Sequence, residues 1–121
     1  MINLEIIDYS SGDVDSVWNW VPASNEDIFF QLSIEVSEVG CDGGNQFQLV
    51  VATPEGIRSF MEQHDQAFLD RSLIVLREYS FLNLKERLTQ ILNECSRDSW
   101  NESIACLQRY FQWEYEDCRQ E

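Results

Sequence analysis

The chain has 121 residues, 44% hydrophobic and 25% charged, with a formal net charge of −14. That size supports one domain with one core, here 1–121, and the absence of any run of about 18 apolar residues argues against a membrane-spanning helix. So acidic a field repels nucleic-acid phosphates and attracts basic proteins.

The opening "MINLEIIDYS" has no basic residue before its apolar run, which speaks against a signal peptide. Within it, 2–9 reads as a first strand with Ile2, Leu4 and Ile6 on one face, followed by a polar, turn-rich stretch and then "VWNWVPAS". The clearest strand is 28–39, where Ile28, Phe30, Leu32, Ile34 and Val36 alternate with Gln31, Ser33, Glu35 and Ser37. "GCDGGN" reads as a hairpin loop, and 46–53 alternates again with Phe47, Leu49 and Val51 inward. If the other face of this hairpin is open, Glu35, Glu38 and Asp42 are expected to form one acidic patch on it.

A helix follows over 53–65, with Thr53 as cap and Pro54 in the first turn. Residues 71–79 read as a fourth strand, apolar enough to be buried on both sides. Asn83 with Glu86 marks the start of a helix whose face is Leu84, Leu88, Ile91, Leu92 and Cys95. Ser99 with Glu102 marks a last helix faced by Trp100, Ile104, Leu107 and Phe111, and the closing "RYFQWEYEDCRQE" reads as its final turns. The expected class is α+β: an antiparallel sheet of about four strands with helices packed on one face, strands mainly N-terminal and two helices C-terminal.

Charge is unevenly placed. Nine acids and no Lys or Arg lie between Met1 and Asn45, and all eight basic residues lie from Arg58 onward. Acids also crowd the end of the chain, where a helix's partial negative charge would disfavour them. Of the four cysteines, none are spaced as C-x-x-C; Cys95 and Cys106 read as reduced core residues, which points to a cytoplasmic protein.

Motifs for chemistry are missing. His64 is the only histidine and sits in a polar helix end; there is no G-x-S-x-G and no P-loop, and "DVDSVWNWV" lacks the glycine and terminal glutamate of a calcium loop. The expectation is therefore a binding protein rather than an enzyme, with no catalytic residue, metal or cofactor.

"WVPASNEDIFFQLSIEVSEVGCDGGNQFQLVVATPEGI" resembles the immunity protein 8 family of bacterial polymorphic-toxin and contact-dependent inhibition systems, through Trp20, Pro22, Phe30, Gly40, Phe47, Thr53 and Pro54. The ending is similar to that family's close through Trp100, Ile104, Leu107, Tyr110, Trp113, Glu114 and Asp117. The resemblance implies an α+β fold and a cytosolic antidote that binds the C-terminal domain of a cognate toxin, with no nucleic acid and no membrane as partner. An antidote to a basic, nuclease-type toxin would set carboxylates where phosphates bind. The candidate contact residues are Glu114, Glu116 and Asp117 with Trp113 or Tyr115 as anchor; Glu35, Glu38 and Asp42 on the hairpin; and Asp13 and Asp15 near the tryptophan loop. On a helix, Trp113 would share a face with Glu116 and Asp117. The competing readings are an acidic inhibitor or nucleic-acid mimic acting on another protein, and a small hydrolase or ligand-binding domain.

Overall fold

The computed structural model of the protein describes residues 1–41, 43–64 and 72–114. Its elements are β1 (Leu4–Ser10), a 3-10 turn (Val17–Asn19), β2 (Phe29–Glu38), β3 (Asn45–Ala52), α1 (Pro54–His64), β4 (Leu73–Val75), α2 (Phe81–Glu94), α3 (Trp100–Leu107) and β5 (Gln112–Trp113). The class is the expected α+β. The strands form one sheet in the order β1-β2-β3-β4, with β5 also paired to β3.

The central hairpin follows its alternation. Phe30, Leu32 and Ile34 stand opposite Val51, Leu49 and Phe47, and all six are buried. Gly40 and Gly43, both at positive φ (87° and 77°), turn the chain between the strands. The side chains of α2 and α3 that the sequence assigned to the core, Leu84, Leu88, Ile91, Leu92, Ile104 and Leu107, close over this face. Burying such side chains contributes roughly 1.5–3 kcal/mol each, so this layer holds the fold. Phe60 of α1 instead stacks on Phe29, whose place in the alternation is on the opposite face, with centroids 4.2 Å apart.

β1 departs from simple alternation. Ile6 pairs with Val36 and Asp8 pairs with Glu35, so Ile7 is an extra residue in a bulge. Uninterrupted alternation from Leu4 and Ile6 would have sent Asp8 into the core, where an unpaired carboxylate costs several kcal/mol. The bulge turns Asp8 outward and brings Tyr9 in, against Phe81 at 5.2 Å.

Three further expectations are corrected. The fourth strand is only Leu73–Val75, pairs parallel to β3 across the α1 crossover, and leaves Val75 half exposed rather than buried on both sides. α2 starts earlier than Asn83: Ser80 is the cap, its hydroxyl accepting from the Asn83 amide at 3.3 Å. The last helix stops at Leu107 and a turn follows, so Gln112 and Trp113 lie in a strand antiparallel to β3. No helical face joining Trp113 to later acids forms there, and Tyr115, Glu116 and Asp117 lie outside the described residues.

Cys95 and Cys106 are also corrected. They form a disulfide between the end of α2 and α3, with Cα atoms 5.3 Å apart and eleven positions between them in sequence. Apolar helix positions had suggested reduced thiols; the turn between the two helices instead brings the sulfurs together, so these cysteines supply no argument for a reducing compartment. In a chain-entropy view, closing so short a loop stabilises by about 3 kcal/mol. Reduction is expected to lower the urea midpoint by a corresponding amount. In denatured, unreduced protein, Cys95 and Cys106 should resist alkylation and take label only after a reductant is added; labelling without reductant would contradict the pairing.

Candidate functional site: the open face of the sheet

The face of the sheet away from α2 and α3 is polar over most of its area. Its first rung runs across the sheet: Asp8 on β1 stands opposite Glu35 on β2, and Glu35 stands opposite Gln46 on β3. The chain just past β5 completes it. The Glu114 amide donates to the Gln46 carbonyl at 3.0 Å, and the Glu114 carboxylate accepts from the Gln46 amide at 3.0 Å. Gln46 also reaches Glu35 with its side-chain amide, at 3.5 Å. Adjacent strands lie about 5 Å apart, so Asp8, Glu35 and Glu114 form a line of carboxylates about 15 Å long. Glu5, opposite Ser37, adds a fourth on the same face. The next rung is neutral: Ser10, Ser33, Gln48 and Gln112.

No Lys or Arg occurs in any of the five strands. The surface ion pairs among the described residues lie elsewhere, joining Arg58 to Glu55 and Glu62, and the N-terminus to Asp98. Like charges directly opposite on a sheet destabilise it. At 5 Å in water the repulsion is of the order of 0.8 kcal/mol, small but not offset on this surface.

Several sequence candidates are thereby placed. Glu35 and Glu114, far apart in sequence, come together through β3. Asp8 and Glu5 belong with them; strict alternation hid Asp8, and only the bulge reveals it. Glu38 does not join Glu35: it pairs with the core residue Leu4, on the other side of the sheet, and borders a hollow of about 210 Å³ with Cys41, Asn45 and Trp100. Asp42 lies outside the described residues. Trp113 stands opposite buried Phe47, packs against the core, and donates its indole N–H to Asn45 at 3.1 Å, so it faces away from the acidic row.

Asp13 has a definite post. Its Oδ2 accepts the Gln31 amide at 3.1 Å while Ser11 Oγ donates to the Gln31 carbonyl at 2.6 Å, extending the edge of β2 after β1 ends. Asp15 lies apart from it, in a shallow hollow with Asn19, Trp20 and Val21. Trp18 beside them is 56% exposed.

Residues 4–118 match the family described as Immunity protein 8. The chain belongs to the immunity protein 8 family. Membership makes it an immunity protein of a polymorphic-toxin system, with a cognate toxin as partner. No curated protein and no solved structure matches the chain. The family's Thr-Pro element has a clear physical basis in this chain. Thr53 is fully buried, and its Oγ1 accepts from the Ile28 amide at 3.0 Å and the Gly56 amide at 3.1 Å while donating to the Glu26 carbonyl at 2.6 Å. One hydroxyl thus fastens the start of β2 to the start of α1. Family membership suggests a role without catalysis. Among the described residues, no group of three or more His, Cys, Asp or Glu is placed to hold a metal ion, and no helix is long and apolar enough to cross a membrane.

Proposed function

We propose that this immunity protein neutralises a basic, nuclease-type toxin domain in the cytoplasm by laying its open sheet face on the toxin's phosphate-binding surface. Residues 1–121 act as one immunity domain. The observation that carries this reading is the direct opposition of Asp8 and Glu35, extended by Glu114, on a sheet with no cation. A structure that tolerates uncompensated repulsion on its surface gains from a partner that relieves it. Carboxylates in a line then stand where the toxin would hold phosphates.

The test is binding to the toxin domain encoded beside this chain's gene, followed across a salt series. Association should be fast at low salt and slow steeply as the Debye length shrinks from about 30 Å at 0.01 M to about 8 Å at 0.15 M. An association rate indifferent to salt would rule out the acidic face as the docking surface.

A further inference from the structure

Beside the acidic row, the same open face carries a depression of about 350 Å³, lined among the described residues by Asp13, Phe29, Gln31, Val50 and Phe60. Its walls are chemically mixed. Phe29 and Phe60 supply a stacked pair of rings, nearly parallel at 12°. Val50 is an apolar wall. Asp13 is exposed, and with Oδ2 engaged by the Gln31 amide its Oδ1 has no hydrogen-bond or ion-pair partner among the described residues. Gln31 gives its side-chain amide to Gln48 at 3.0 Å, which keeps its own side-chain oxygen as an acceptor.

We infer that this depression is a socket for one arginine side chain of the toxin. This rests on the reading that the open sheet face meets the toxin, and it names the anchor that face would take. The chemistry selects a planar cation on an apolar stem. Methylenes fit against Val50 and the rings, a guanidinium stacks on aromatic faces, and its fork of donors suits Asp13 and Gln31. A lysine ammonium is more strongly hydrated and presents no flat face, so it fits less well. The socket is linked to the acidic row through Gln31 and Gln48, so an arginine anchored here sets the register of further cations along Asp8, Glu35 and Glu114.

The experiment needs no toxin in its first arm. N-acetyl-arginine amide is titrated into the isotopically labelled full chain, with N-acetyl-citrulline amide as the uncharged counterpart. Saturable amide shifts are expected at Phe29, Gln31 and Val50 with the arginine compound only. They should vanish in Asp13→Asn, whose side-chain oxygen still accepts the Gln31 amide and so keeps the edge of β2. Absence of saturable shifts, equal shifts with citrulline, or shifts that survive Asp13→Asn would each overturn the socket. In the second arm, Asp13→Asn should weaken the complex with the toxin domain about tenfold while Glu35 and Glu114 are intact; unchanged affinity overturns the assignment. Failure of the acidic face as a whole would show separately, as toxin binding insensitive to changes at Glu35 and Glu114.

Discussion

Gly56→Ala should cost about 3 kcal/mol or more, seen as a large fall in the urea midpoint with little change in slope. The cause is contact between two backbones. α1 begins directly against the first residues of β2, where the Thr53 amide donates to the Ile28 carbonyl at 2.9 Å. One turn on, a Cβ at Gly56 would overlap that same carbonyl oxygen and crowd the Ile28 amide. The obstruction is main chain, so no side-chain rotation relieves it; α1 must lift away from β2. Lifting it also pulls Thr53 from its three hydrogen bonds, and each buried group left unpaired costs about 1–3 kcal/mol. Thr53→Val should therefore be nearly as damaging, whereas Thr53→Ser keeps the hydroxyl and should be mild. Against a total stability of about 5–15 kcal/mol, either severe variant approaches the limit of folding. A Gly56→Ala protein within about 0.5 kcal/mol of the parent would show that the two backbones are not in contact.

What the sequence disclosed and what it hid follow one division. β2 and β3 were legible because one face of each is buried and the other wet, which stamps a period of two on Phe30 to Val36 and Phe47 to Val51. The faces of α2 and α3 were legible for the corresponding reason at helical spacing. The Thr53 cap was legible because a cap is local. What escaped was set by distant partners. Gln112 and Trp113 have no strand pattern of their own; two residues become a strand because β3 has an unfilled edge. The helical reading of the chain end failed at the same point, since Trp113 and Phe111 were placed on a helix that stops at Leu107. The bulge at Ile7 is invisible in composition yet decides which face Asp8 occupies. The candidate site inherits this split. Glu35 was assigned to its face correctly, but its neighbours Asp8 and Glu114 come from opposite ends of the chain. The puzzle of acids set against a helix dipole therefore changes form: Glu114 belongs to an extended segment, and the unfavourable juxtaposition is carboxylate against carboxylate across strands.

The combined variant Asp8→Asn, Glu35→Gln and Glu114→Gln should change stability and binding in opposite directions. In the free protein, removing three carboxylates from one uncompensated row relieves repulsion, so stability should rise by about 0.5–1 kcal/mol at low salt, less as salt is added. The Glu114 substitution leaves a side-chain oxygen able to accept from the Gln46 amide, so β5 keeps its attachment. Toward the toxin domain the same three changes should slow association at least tenfold, because long-range attraction governs encounter. If Glu35, the least exposed of the three, pairs with a cation that becomes desolvated on docking, dissociation should also quicken, with a total loss of about 2–5 kcal/mol. The opposed signs make the result hard to imitate. A damaged fold would lower stability and binding together, and a solvated face with no partner would raise stability while leaving both rates alone. Only a row held against its own repulsion for the sake of a basic partner gives a more stable protein that protects less well.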